Sequence, residues 1–306
     1  MMFELWIPLT IIAAFFQNLR SALQKNLKSR LSNSGATYVR FFYAWPFATI
    51  YVLILHSYGG FGIPDINPAF LLYCFFGGLS QIFFTFLLVW LFSFRNFAAG
   101  TIFSKTETIQ IAILGLLILG DPLSFYAGVA IFISIIGVMS LSLAESKLTP
   151  LNLFASLKEK TTIIGLACGA FLGASVVLFR GAALTLGGDG FLMQSGFTLA
   201  ISVFIQTIIM GLYLILREPE QLKAVIIHWR PSLSVGIAGA LASIAWFSAF
   251  TLQNAAYVRA LGQIELVFTI IFSAVYFREK INKTELIGIF FVVTGILILL
   301  FENSFS

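Results

Sequence analysis

What most limits this chain is a near-continuous succession of apolar runs of spanning length. They fall at about 4–23, 35–57, 68–93, 98–119, 123–144, 162–184, 190–216, 231–253, 257–277 and 284–301. A helix rises 1.5 Å per residue, so about 20 apolar residues match the hydrocarbon thickness of a bilayer. Only 10% of the 306 residues are charged and 59% are hydrophobic, where a soluble domain has about a quarter charged. The sequence therefore predicts an all-α polytopic membrane protein of ten transmembrane helices. No length remains for a soluble enzyme domain or a nucleic-acid-binding module. The start, Met1-Met2-Phe3-Glu4, has no basic flank and is followed by Arg20 rather than a small-residue cleavage site, which reads as a retained first span.

Catalytic and cofactor chemistry find little support. Cys74 and Cys168 lie inside apolar runs, and His56 and His228 are far apart, so neither a disulfide framework nor a metal site is expected. There is no phosphate-binding loop, Ser–His arrangement or His/Asp cluster. The reading is a non-enzyme without cofactors.

Internal symmetry is more telling. Sliding the chain by 158 residues superposes Gly78 on Gly236, Asn96 on Asn254, Ala98 on Ala256, Glu107 on Glu265, Asp121 on Glu279, Ile131-Phe132 on Ile289-Phe290 and Gly137 on Gly295. At an offset of 160, Arg20 meets Arg180 and Ala22 meets Ala182. This divides the chain into a five-helix repeat over 1–144, a linker over 145–161 and a second five-helix repeat over 162–306. Five is odd, so the second repeat is expected upside down relative to the first. The stripe Gly165-xxx-Gly169-xxx-Gly173 reads as a seat for a neighbouring helix of the same chain. Pro46, well inside a span, should bend the second helix.

Five of the 18 basic residues lie within spans: Arg20, Arg40, Lys105, Arg180 and Arg259. Every other Lys and Arg falls in an odd-numbered loop, while the opposite face carries Glu4, Asp65, Asp121, Asp189 and Glu302. By the positive-inside rule the odd loops are cytoplasmic and both termini lie outside, in a cytoplasmic (inner) membrane.

The segments Asn96-Phe-Ala-Ala-Gly to Leu119-Gly-Asp-Pro-Leu, Asn254-Ala-Ala to Phe277-Arg-Glu-Lys-Ile and Glu285-Leu-Ile-Gly-Ile-Phe-Phe-Val-Val-Thr-Gly295 resemble the drug/metabolite transporter superfamily. The similarity is to its ten-helix bacterial permeases built of two EamA-type repeats, and it covers nearly the whole chain. It implies transport by alternating access, through a central cavity lined by the first four helices of each half. Familiar members have cytoplasmic termini, and the charge count here implies the reverse. The phosphate-exchanging plastid branch is also similar in placing basic residues on the fourth and ninth helices.

Charges inside a membrane need partners or water. Repeat symmetry suggests the ion pairs Arg20–Glu107 and Arg180–Glu265, with a proton-coupling role for either Glu as the alternative. Arg40, Lys105 and Arg259 remain, none matched by a basic residue at the repeat offset. They are candidate substrate-binding cations, with Gln263, Tyr38 and Gln81 as polar lining; Thr101, Lys105 and Thr108 share a helix face, as do Arg259 and Gln263. Against this stands a structural reading in which Arg40 pairs with Glu107 and Arg259 snorkels to the surface. The sequence thus predicts a transporter of small anionic or zwitterionic metabolites such as a carboxylate, phosphate ester or amino acid. The alternative is an exporter of neutral or apolar metabolites such as hydrophobic amino acids. Expected partners are the substrate, the bilayer and a coupling proton or counter-substrate, in a monomer or weak homodimer that binds no nucleic acid.

Overall fold

A computed structural model describes residues 4–27, 30–91, 94, 98–146, 152–153, 156–188, 190–268, 270 and 282–302. Asn96, Asp189, Phe277 to Ile281 and residues 147–151, 154 and 155 of the 145–161 linker lie outside the described residues, as do the basic residues Lys28, Arg95, Arg278 and Lys280. Among the described residues there is no strand. The helices are α1 (Trp6–Leu27), α2 (Asn33–Phe42), α3 (Trp45–Ser57), α4 (Pro68–Leu91), α5 (Ala98–Ser104), α6 (Glu107–Leu119), α7 (Phe125–Glu145), α8 (Lys160–Thr185), α9 (Phe191–Arg217), α10 (Pro219–Ile227), α11 (Trp229–Leu252), α12 (Ala255–Gly262) and α13 (Lys283–Leu300). Eight helical segments among the described residues are long and apolar enough to cross a membrane, counting Asn33–Ser57 and Ala98–Leu119 each as one. The protein is a polytopic all-helical membrane protein. Helix α1, which carries Gln17, Asn18, Arg20 and Gln24, is not among the eight.

Two spans are interrupted, for different reasons. Between α2 and α3 the ladder breaks at Tyr43 and Ala44, and Pro46 sits in the first turn of α3. Proline has no N–H to offer the carbonyl four residues back, so the interruption precedes it. Between α5 and α6 no proline is involved. There the Ser104 hydroxyl donates to the Thr101 carbonyl at 2.8 Å and that of Thr106 to the Phe103 carbonyl at 2.7 Å, competing with the helical ladder.

The chain forms two compact units, 1–79 with 178–253 and 80–177 with 254–306. The boundaries fall inside α4 and α8. In the first unit Phe70, Cys74, Ala182 and Leu186 form a buried cluster, and α11 packs on α1 and α2. Glycines permit that packing: a Cβ on Gly236 would lie 2.4 Å from Tyr43 Cβ, and one on Gly239 would lie 3.3 Å from Arg20 Cδ. The start of α2 is held by the α9–α10 junction. The Ser32 and Ser34 hydroxyls donate to Glu218 at 2.8 and 2.9 Å, and the Ser32 amide donates to Gln221 at 2.7 Å. A carboxylate there also complements the helix dipole.

In the second unit the three glycines of the α8 stripe seat the broken span. A Cβ on Gly165 would lie 2.0 Å from the Gly100 carbonyl oxygen, one on Gly169 3.1 Å from the Ser104 carbonyl oxygen, and one on Gly173 3.2 Å from Ile111. Helices α7 and α13 meet in the same way. A Cβ on Gly137 would lie 2.6 Å from the Val292 amide nitrogen and 2.8 Å from the Gly288 carbonyl oxygen; one on Gly295 would lie 2.1 Å from Ser134 Oγ and 2.6 Å from the Ala130 carbonyl oxygen. Outward, large apolar side chains such as Leu117, Phe125, Phe132, Leu216 and Phe290 are exposed, a surface suited to lipid rather than water.

Candidate functional site

The second unit brings its charges together at two helix ends. Helix α6 begins with Glu107, and Arg259 lies in the last turn of α12. Each charge thus sits at the terminus whose dipole favours it. The two form a salt bridge, Arg259 Nη2 to Glu107 Oε1, with side chains only 14% and 7% exposed. Beside it the buried Gln263 amide donates to Thr108 Oγ1 at 3.3 Å, and the carboxylate of Glu265 also acts electrostatically on Arg259. The Gln110 amide donates to Thr106 Oγ1 at 3.0 Å, within the same interrupted stretch.

Repeat symmetry assigned Arg20 to Glu107; the partner found within this unit is Arg259. The physical reason is geometric. Arg259 ends α12 where α6 begins, and desolvation at low exposure makes a nearby opposite charge the strongest available compensation. Arg259 is therefore engaged with protein, rather than reaching to the membrane surface. Lys105 behaves differently. It lies half-buried in the turn between α5 and α6, and among the described residues its ammonium has no acceptor. Gln81, on α4, is also half-buried.

In the first unit Arg180 is answered by backbone. Its guanidinium Nη1 donates to the carbonyls of Phe250 and, at 2.7 Å, Gln253, with Thr251 at 3.5 Å. These are the unsatisfied oxygens at the C-terminal end of α11, and a cation there both caps the helix and meets its negative pole. Arg20 is 8% exposed and rests on Gly239, one turn from Gln17, which accepts from the Trp246 indole at 3.0 Å. Arg40 is half-buried on α2, its guanidinium 5.6 Å from the Phe41 ring. Among the described residues it has no carboxylate or other hydrogen-bond acceptor. Tyr38 is 5% exposed, stacked on Phe42 and set against Gly211 of α9, so it packs as core. A cavity of about 460 Å³ lies in the same unit, lined by Gly59 to Asp65, by Gly187, Gly188 and Gly190, and by Met193 and Gln194 in the first turn of α9; none of the predicted site residues lines it.

Sequence reasoning missed the hydroxyls of Ser104 and Thr106 that interrupt the fourth span, and the carbonyl cage around Arg180. The first was signalled by the Ser-Lys-Thr-Glu run at 104–107. The second had no local signal, because the acceptors are backbone.

Comparison with known proteins agrees with this architecture. Residues 160–301 match the model of the EamA-like transporter family. That match supports a membrane transporter of the permease kind, threaded through the bilayer several times. No curated protein matches the chain. Among solved structures 28 chains match; one, described only as the crystal structure of a protein, has a TM-score of 0.68 at 13% identity and covers 99% of this chain and 98% of its own. At that identity the likeness carries the fold alone.

Proposed function

We propose that this protein is a secondary transporter that moves a small anionic or zwitterionic metabolite by alternating access. The observation that carries the reading is the state of Arg40 and Lys105. Each is a half-buried cation within a membrane-spanning segment, and neither has an acceptor among the described residues. An intramembrane cation is costly without water or a counter-charge, and a substrate anion supplies the counter-charge in the loaded state. In this reading Arg40 binds as a bidentate fork and Lys105 as a point charge, with Gln263 and Gln81 as polar lining. Arg259 takes part only through Glu107, and Glu107 or Glu265 is the candidate carrier of a coupling proton.

The proposed architecture is ten helices in two inverted repeats, 1–144 and 162–306. Contacts in the second unit support it. At an offset of 158, the Gly137–Val292 contact becomes Gly295–Ser134, and Gly137–Gly288 becomes Gly295–Ala130; each pair maps onto another pair actually present, as a local two-fold axis requires. The interruptions agree as well. Helix α5 ends at Ser104 and α12 at Gly262, positions 158 apart. The excess of Lys and Arg in the odd loops supports an inner-membrane protein with both termini outside.

Thermal-shift measurement of the detergent-purified protein against carboxylates, phosphate esters and amino acids tests the substrate class, because a ligand of the folded state raises apparent stability by mass action. Stabilisation by anions that weakens in Lys105→Ala is the expected result. Stabilisation by neutral or apolar compounds alone would overturn it in favour of an exporter of neutral metabolites. A periplasm-active reporter fused after Ser306 should be active; a cytoplasm-active one lighting up instead would refute the orientation.

A further inference from the structure

We propose that the outward face of α10, together with the first turn of α11, is a docking surface for the headgroups of anionic phospholipids. The inference concerns the bilayer rather than the substrate, and goes beyond the transport reading above.

Pro219 cannot continue the ladder of α9 and opens α10 instead, a helix of nine residues. At 1.5 Å per residue α10 covers about 13 Å, less than half of a bilayer core, so it does not cross. Contacts settle which face it turns inward. Gln221 accepts from the Ser32 amide, Glu218 just before the helix accepts from the Ser32 and Ser34 hydroxyls, and the carbonyl of buried Val225 accepts from the Tyr43 hydroxyl at 3.1 Å. Ser32 and Tyr43 cap the two ends of α2, so α10 lies along that helix. Helical spacing then puts Lys223, Ile226 and Ile227 on the opposite face, where the two isoleucines are 58% and 71% exposed. Trp229, which opens α11, is exposed as well.

These apolar side chains prolong a lipid-facing surface. Ile215 and Leu216, in the last turn of α9, are exposed, and the chain runs from them directly into α10. The accompanying charges are unequal. Glu218 is engaged by the two serines, and Glu220 is paired with Lys223 at 3.2 Å. Arg217 and Arg230 are exposed and have no carboxylate among the described residues; the Arg230 guanidinium lies 5.5 Å from the Trp229 ring. An apolar face bordered by surplus cations, with Trp beside Arg, is the composition that settles at headgroup level. A guanidinium fork suits phosphate oxygens, and the continuity with α9 favours lipid over an acidic protein partner.

The test is thermal shift of the full-length, detergent-purified protein titrated with phosphatidylglycerol, phosphatidylcholine or inorganic phosphate. Phosphatidylglycerol should raise the melting temperature well above what the other two achieve, and the gain should shrink as ionic strength rises. Apparent affinity for it should fall about fivefold in Arg217→Gln and in Arg230→Gln, and further in the double variant. The lipid-free melting temperature should stay at the wild-type value, because both side chains are exposed. Equal responses to the two phospholipids, or a phosphatidylglycerol response that survives the double arginine variant, would overturn the surface. A response to inorganic phosphate as large as that to phosphatidylglycerol would also overturn it, in favour of a free anion. Ile226→Ser combined with Ile227→Ser should weaken the phosphatidylglycerol response. If that variant instead changes the mass seen by light scattering and leaves the lipid response intact, the face belongs to a second copy of the chain and the lipid proposal fails.

Discussion

The two units treat intramembrane charge in opposite ways. In the second, Glu107 and Arg259 neutralise each other at two helix ends, and Glu265 adds its field. In the first, three arginines share helices with no carboxylate at all, and one of them, Arg180, is met by backbone carbonyls. A fold that has to satisfy its own interior arrives at the first arrangement. Cations left over after such satisfaction are better explained by something that arrives from outside. Mutations should therefore separate the two kinds of charge: at Glu107 and Arg259 they should damage stability, and at Arg40 or Lys105 they should damage binding.

The largest effect is expected at the salt bridge. Arg259→Ala takes the salt-bridge partner from buried Glu107, and Glu107→Ala takes it from Arg259; each should cost about 3–5 kcal/mol, read as loss of folded yield and a lower melting temperature. Arg259→Met combined with Glu107→Leu should recover most of the loss, since neither charge then remains. A double variant as unstable as the sum of the singles would show that the two side chains act independently, and the contrast between units would collapse.

Next come the glycines, which set the same contrast in packing. At Gly295 a Cβ would lie 2.6 Å from the Ala130 carbonyl oxygen, and at Gly137 2.6 Å from the Val292 amide nitrogen; backbone cannot yield, so Gly295→Ala and Gly137→Ala should each cost about 1–3 kcal/mol. At Gly239 the neighbour is Arg20 Cδ at 3.3 Å, part of a flexible side chain. Gly239→Ala should leave stability within about 0.5 kcal/mol, because the Arg20 side chain can shift by a few tenths of an ångström. Equal destabilisation at all three positions, measured by melting temperature, would count against an adjustable Arg20. Between these extremes, Arg180→Gln loses the charge from the carbonyls at the end of α11 and should cost about 1.5–3 kcal/mol.

How much of this the sequence disclosed follows from what each feature depends on. Apolar runs depend on local composition, so eight of the ten expected spans were readable along the chain, and the stripe Gly165, Gly169 and Gly173 was readable as a seat for a neighbour because small residues at four-residue spacing permit close approach. The interruption near Pro46 was readable for the same reason. The Arg259–Glu107 pair was not, because symmetry was the guide used. At the repeat offset Arg259 falls on Thr101, so an asymmetric partnership is invisible to a symmetric argument. The cage around Arg180 was hidden for another reason: a sequence shows carboxylates as partners but not which carbonyls a helix end leaves unspent.

Lys105 gives the smallest stability effect and the cleanest separation of roles. It sits in a turn, its amide donating to the Ile102 carbonyl at 3.1 Å, while its half-buried side chain makes no polar contact among the described residues, so Lys105→Gln removes charge without removing a bond. Its stability without ligand should match wild type within about 0.5 kcal/mol, or rise slightly, because the substitution discards a desolvated charge. Transport into proteoliposomes of the anion that best stabilises the wild type should nevertheless fall by about tenfold, the loss of one charge-assisted contact. If instead Lys105→Gln lowers stability as strongly as Arg259→Ala, Lys105 belongs with the structural charges of its unit, and Arg40 alone carries the anion reading.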